Sequence, residues 1–468
     1  MPFVVVRLFA VLALLLSLAI TAQAATPSGC EVFWQLTPRW ADSGAATQLD
    51  LRLAVDGGPL VPQPLADDPA LMIGARQLAF AGRALLMLPP ALAGRATLQM
   101  CLQVDGLSPD QRLFSSLHPA PGDDRLLRWQ GPPALAREIV IAAGSWQLRE
   151  RIAEGQALRI VLPTDGAGSA NVADAVADAA VRVVTAQRRF WGATETPRST
   201  WLVTLAANDN GSPAGAIGLH DALLLRLPSG AQAIEPVIET LLAQAALRNW
   251  FRERFGPVAF APRGDEAASA WFSEGFSLFY ALRLRAADGS GSLDGLAAAL
   301  TMLWNQPGTN PAALPWLAAH WHSALQARGH AGGLDAVLHR LQLPPAARRD
   351  DGGPFGPLSQ PLAVHRLQAA VRPLLGESMR ADLLHFIGPG AAPSRSTLGP
   401  CFELDVAARR ISAARDAASS AACQAWLGVG RSAAAAAAAN AQPPKAAAGK
   451  NAAASSKATK AAPKRRKR

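Results

Sequence analysis

Between Ile234 and Phe251 apolar residues return every three or four positions: Ile234, Val237, Ile238, Leu241, Leu242, Ala245, Leu247, Trp250 and Phe251. With no Gly or Pro after Pro236, that spacing predicts a buried helix, which Gly256 and Pro257 end. A second helix is predicted from near Glu266 through Ala287, carrying WFSEGFSLFY with the carboxylate of Glu274 inside an otherwise apolar run. Earlier in the chain the period changes. TQLDLRLAV alternates as a half-buried strand does, and ALMIGARQLAFAG, RALLMLPPAL and ATLQMCLQVDG are short apolar runs between Gly, Pro and Asp turns. They predict an antiparallel β-sandwich or open sheet over residues 25–140.

EIVIAAGSWQLRERI and ALRIVLPTD are further strands, assigned to a second domain over 141–295. VADAVADAAVRVVTAQRRFWG is an amphipathic helix closed by Gly192. WLVTLAAN and AIGLHDALLLRL follow as strands, with DNGSPAG as the turn between them. From Leu296 to residue 430 the pattern is helical, broken by a loop from Ala347 to Pro361. Residues 431–468 are Ala, Lys, Ser and Pro with no aromatic or branched aliphatic residue, a composition that cannot bury a core and reads as a disordered tail.

Composition adds three facts. With 468 residues, half of them hydrophobic, the chain can bury sizeable cores. Residues 1–24 place Arg7 before an apolar run and end in Ala22-Gln23-Ala24, the pattern of a secretory signal cleaved after Ala24; no later segment is long and apolar enough to span a bilayer. Export, to the periplasm or outside the cell, suits the four cysteines. They admit three pairings, of which the local one, Cys30 with Cys101 and Cys401 with Cys423, is preferred. The net charge of +10 is uneven: nine basic residues and no acidic ones lie beyond Arg431, which leaves +1 for everything before. A nucleic-acid-binding body is therefore not implied, and any polyanion partner belongs to the tail.

Four stretches, in order, resemble the glycyl aminopeptidase family, a gluzincin branch of the metallopeptidases. Ala179 to Gly192 is similar to a family helix ending in an aromatic residue and Gly, and Gly215 to Leu225 to the strand that binds the substrate backbone and amino terminus. LLAQAALRNW sits where the family has its H-E-x-x-H helix, and WFSEGFSLFY is similar to the helix of the third zinc ligand. The resemblance spans roughly residues 140 to 400. It implies an α+β fold: a β-rich N-terminal domain, a thermolysin-like (gluzincin) peptidase core and a helical C-terminal subdomain over 296–430.

The same resemblance removes the chemistry. Gln244 stands at the first His position, Ala245 at the catalytic Glu and Arg248 at the second His; only Glu274 is kept. An amide is a poor zinc ligand, a guanidinium repels the ion, and Ala245 cannot deprotonate water. In the substrate strand, after Gly218 and Leu219, the family's Glu-His pair is replaced by His220-Asp221. The family also uses a downstream Tyr, and the single Tyr here is Tyr280, inside the ligand helix. No catalytic residue, metal or cofactor is therefore assigned. Glu274, costly to bury alone, is expected to pair with Arg248, a salt bridge in place of the metal.

Other candidates read as ordinary. His320 and His322, two apart on a helix, cannot easily share an ion. His220 and Asp221 lack a partner nucleophile, since Ser212 belongs to no G-x-S-x-G elbow. The expected function is a secreted or periplasmic pseudopeptidase that binds a peptide, protein or cell-envelope ligand in the former substrate cleft. Two rivals stay open. One is an active zinc aminopeptidase with a site rebuilt from Glu274, His220 or Asp221 and His320. The other is an envelope protein whose tail binds an anionic polymer or nucleic acid.

Overall fold

The computed structural model describes residues 27–428 apart from 41–47, 66–67, 69, 75, 118–124, 165–169, 193–200, 209–214, 220–221, 229–235, 256–270, 307–313, 344–362 and 388–391. The signal-like start, the basic tail, His220, Asp221, Ser212 and the loop from Ala347 to Pro361 lie outside the described residues.

Two sheets build the N-terminal part. The first has five strands, β1 (Val32–Arg39), β2 (Gln48–Val55), β3 (Val61–Pro62), β6 (Leu98–Val104) and β8 (Leu126–Gly131), in the order β3-β2-β1-β6-β8. The second has four, β4 (Leu71–Ile73), β5 (Gln77–Ala81), β7 (Arg112–Ser115) and β9 (Val140–Gly144), in the order β4-β5-β9-β7. The alternation in TQLDLRLAV works as expected, with Leu51 and Leu53 buried around an exposed Arg52. The expectation of antiparallel pairing needs correction: β1 and β6 run parallel, Val32 opposite Met100. Strands β2 to β5 intervene and supply the long crossover that a parallel pair requires. Pairing also carries the first unit four residues past 140, because β9 hydrogen-bonds to β5 and β7. Trp34 and Trp129 stack 5.9 Å apart inside this core, and a Cys30–Cys101 disulfide ties the start of β1 to the inner strand β6.

A five-stranded mixed sheet follows: β10 (Trp146–Ala153), β11 (Gln156–Pro163), β12 (Trp201–Asn208), β13 (Gly215–Leu219) and β14 (Ala222–Pro228), in the order β10-β11-β12-β14-β13. The stretch Gly215–Leu225, read as one strand, is two. β13 and β14 are antiparallel with Leu219 opposite Ala222, which makes β13 the sheet edge. The sheet's faces serve different cores. Leu158, Ile160, Leu162, Leu223 and Leu225 join the helical core, while Val161, Leu219, Ala222 and Leu224 join the core of the N-terminal sheets.

Helices cover the first face. α1 (Ala170–Trp191) ends at Gly192, whose φ of 63° suits a residue without Cβ. α2 (Pro236–Phe255) buries Ile238, Leu242, Ala246, Leu247, Trp250 and Phe251 in the helical core and carries Glu239, Gln244, Arg248 and Asn249 among them. The described part of the ligand-type helix is a π turn, Trp271–Phe276, that continues as α3 (Ser277–Asp288). α4 (Leu293–Asn305), α5 (Trp316–Ala327), α6 (Gly333–Leu341), α7 (Ala363–Leu375) and α8 (Ser378–Ile387) follow. The expectation of helix from Leu296 to residue 430 needs correction: β15 (Phe402–Asp405) and β16 (Arg410–Ala413) form a hairpin before α9 (Ala421–Leu427). The Cys401–Cys423 disulfide thus spans a hairpin, not a helical segment. Among the described residues no helix is long and apolar enough to cross a membrane.

Candidate functional site

Helix α2 and the π turn meet where the sequence set Gln244, Ala245, Arg248 and Glu274. Gln244 and Arg248 lie one turn apart on α2 and face the same neighbour. The guanidinium of Arg248 donates from Nη2 to Glu274 Oε2. Gln244 Nε2 donates to the Glu274 carbonyl at 3.3 Å and lies 3.5 Å from Oε2. The expected interhelical salt bridge is therefore present. Ala245 is buried at 1 % exposure and turns its backbone toward the sheet edge.

A π turn loosens the helical ladder and re-aims its side chains. Here Ser277, buried completely, shares its one hydroxyl proton between the carbonyls of Ser273 (2.6 Å) and Glu274 (2.9 Å). Trp271, Phe272 and Phe276 are buried around it, and Phe272 stacks on Phe251 of α2. Glu274 thus projects from a packed frame. Its side chain keeps 34 % exposure and that of Arg248 23 %, so solvent reaches both.

Strand β13 lies against the same helix. A Cβ at Gly218 would sit 2.1 Å from the Ala245 carbonyl oxygen and 3.0 Å from Asn249 Oδ1, so only glycine lets the strand approach this closely. Asn249 Nδ2 donates to the Ala222 carbonyl at 3.0 Å and ties α2 to β14. The structure thus brings Gly218 to Ala245 and Leu219 into the shared core.

Two buried charge clusters were not foreseen. Glu239 on α2 accepts from Arg182 Nε of α1 (3.2 Å) and Arg285 Nη2 of α3 (2.9 Å). Deeper still, Arg283, 1 % exposed, donates from Nη2 to both oxygens of Asp335 at 2.8 and 2.6 Å. Tyr280 donates its hydroxyl to Asp335 at 2.9 Å. Leu334 N–H donates to His322 Nδ1 (3.3 Å), and His322 Nε2 lies 3.0 Å from the Trp426 carbonyl oxygen. Burial pushes the Asp335 carboxyl up, but the charge of Arg283 and hydrogen bonds from Arg283 and Tyr280 outweigh it and hold the group below its ordinary value. Burial, reinforced by Asp335, raises the Tyr280 phenol well above its usual range. The sequence signal was Arg283 and Arg285 within the apolar ALRLRAA; what it lacked was the partners, far along the chain.

His320 and His322 do face different ways. His320 Nε2 lies 3.3 Å from Asp382 Oδ1, whereas His322 is enclosed in the Arg283 cluster. Among the described residues no group of three or more His, Cys, Asp or Glu is placed to hold a metal ion.

Among solved structures the chain is similar to an aminopeptidase N family protein from Idiomarina loihiensis, with a TM-score of 0.50 and 13% sequence identity over 66% of this chain and 69% of that one. The fold is that of a gluzincin aminopeptidase. A likeness to an M1 zinc metallopeptidase from Deinococcus radiodurans covers 79% of this chain and 98% of that one, at 14% identity and a TM-score of 0.48. No family model and no curated protein sequence matches the chain.

The gluzincin fold is one that zinc enzymes use, so the donor set can be tested against that ion. Zinc takes thiolate, imidazole or carboxylate donors. At the positions assigned by resemblance stand an amide, a methyl and a guanidinium, and the remaining carboxylate is already bound to that guanidinium. These residues do not fit a zinc ion.

Proposed function

We propose that this chain is a pseudopeptidase: an exported protein on a gluzincin aminopeptidase fold whose former substrate cleft binds a peptide, protein or cell-envelope ligand without cleaving it. The observation that carries the reading is the Arg248–Glu274 ion pair with Ala245 beside it. A fixed positive charge lies against the one carboxylate a metal would share, and the position of the general base holds a methyl group. Retained binding is supported by β13, an edge strand against α2 whose outer side pairs with no strand among the described residues. Such an edge can accept an extended chain through main-chain hydrogen bonds. Export is supported by the apolar start ending at Ala24 and by two disulfides. The proposed units are a β-rich one to Gly144, since β9 pairs with β5 and β7, a peptidase-like one to residue 295 and a helical one over 296–430, followed by the 431–468 tail.

The test is metal content. Purified mature protein, dialysed against trace zinc and analysed for elements, should hold less than about a tenth of an equivalent. It should also release no amino acid from aminoacyl substrates. One tightly held equivalent, lost on Glu274→Gln, refutes the reading and favours a rebuilt metallopeptidase site. A second reading, polyanion binding, is favoured by one observation, the nine basic residues beyond Arg431. A chain ending at Gly430 that keeps its salt-dependent retention on an anionic matrix would dismiss it.

A further inference from the structure

We propose that the lysines from Lys445 to Lys467 are acylation sites, whose ε-amines accept an acyl group as an amide. The proposal is independent of both readings above and starts from where the amines are. The chain carries 45 basic residues, and its six lysines (Lys445, Lys450, Lys457, Lys460, Lys464 and Lys467) all follow position 444. Every basic residue up to Arg431 is an arginine. The fold accounts for some of those arginines. Arg283, 1 % exposed, needs a fork of donors to meet Asp335 and His322 together. Arg52, Arg76, Arg95 and Arg189 are different: each pairs with a carboxylate at the surface, with its side chain 48, 50, 50 and 72 % exposed.

A surface pair contributes little whichever cation makes it, and lysine and arginine have nearly equal helix propensity. Lysine would serve at those exposed positions as well, so the fold does not require its exclusion. Charge does not require its return after position 444 either. Arginine supplies the same charge and grips phosphate or carboxylate at two points. What lysine has and arginine lacks is an amine that can lose its proton and act as a nucleophile. The chain confines that chemistry to one stretch, outside the described residues. In the transfer, the unprotonated ε-nitrogen attacks the carbonyl carbon of a thioester or ester donor. A C–N bond forms, the C–S or C–O bond breaks, and the proton shed by nitrogen leaves with the thiol or alcohol. Each transfer removes one positive charge, so six of them reduce the nine charges beyond Arg431 to those of Arg465, Arg466 and Arg468.

The test is peptide mass mapping of the full-length protein expressed in its native host. It is run on the natural chain and on a variant combining Lys445→Arg, Lys450→Arg, Lys457→Arg, Lys460→Arg, Lys464→Arg and Lys467→Arg. That variant keeps all nine positive charges and alters no residue of the described fold. The natural chain is expected to carry an acyl group on at least one of the six lysines, and the variant none. A small acyl group is read as a fixed mass increase on protein that detergent extracts. A carboxyl of an envelope polymer is read instead as protein that hot detergent leaves behind, with the variant fully extracted. Recovery of all six lysines with free amines in both fractions overturns the proposal. So does a modification that the variant retains, including one on the amino terminus alone. The polyanion reading is judged separately, because the variant keeps its charge and hence its retention on an anionic matrix whether or not an acyl group is found.

Discussion

Replacing Asp335 with Ala should destabilise the helical core more than any surface change. The carboxylate satisfies three donors: two N–H groups of Arg283 at 2.8 and 2.6 Å and the Tyr280 hydroxyl at 2.9 Å. Arg283 is 1 % exposed and cannot turn to water when its partner goes. Breaking a buried pair from one side costs about 3–5 kcal/mol, because the other charge stays buried without compensation. With a urea slope of about 3 kcal/mol per M, a loss of 4 kcal/mol moves the midpoint by roughly 1.3 M. The double change Arg283→Met with Asp335→Ala removes both charges and should recover at least half of that loss. Urea unfolding followed by far-UV circular dichroism supplies the cycle, and hydrogen exchange over 277–341 locates the effect. The pH dependence has a definite sign. The folded pKa of Asp335 lies below its unfolded value of about 3.9, so its contribution is complete above that value and is lost as pH falls through the folded pKa. Asp335→Asn should remove that part of the acid sensitivity. A single-variant loss under about 1 kcal/mol, or a double variant less stable than Asp335→Ala, refutes the reasoning.

Glu274→Gln should cost under about 1 kcal/mol, since its pair is partly solvated; a loss above about 3 kcal/mol in thermal unfolding would mean the pair is effectively buried. Gly218→Ala forces a Cβ into the Ala245 carbonyl, and a loss of about 1–3 kcal/mol is expected, read as a lower melting temperature with β13 amides exchanging faster. Opening the Cys401–Cys423 bridge, which closes 22 residues, should cost about 3 kcal/mol, and opening Cys30–Cys101, which closes 71, about 4 kcal/mol; serine pairs compared by calorimetry would reverse this order if strain rather than loop length governs.

The parts legible in the sequence were those that local chemistry decides. Glu274 in an apolar run asked for a cation, and Arg248, with ample chain between the helices, supplied it. What stayed hidden was chiefly non-local. Alternation in β1 and β6 says which side chains go inside but not that the two strands lie parallel and adjacent. The break between β13 and β14 carries no Asn-Gly or Gly pair to announce a reversal. The β15–β16 hairpin turns through Arg409, whose φ of 47° is a position where glycine or asparagine would have given warning. Asp335 lies 52 residues from Arg283, and no spacing rule connects them. The π turn was also unreadable, because WFSEGFSLFY satisfies the ordinary helical period as well as the widened one.

The five-stranded sheet is a party wall. Leu223 and Leu225 face the helical core, while Ala222 and Leu224, next to them on the same strand, face the core of the N-terminal sheets. During synthesis the first β-rich unit emerges complete to Gly144 and still lacks one side, because Val161, Leu219, Ala222 and Leu224 have not yet been made. It must wait for roughly the next eighty residues, with an apolar face uncovered, before it can close. The β-rich half therefore completes its core only with strands from the second half, and that uncovered face is what a chaperone would meet in the interval.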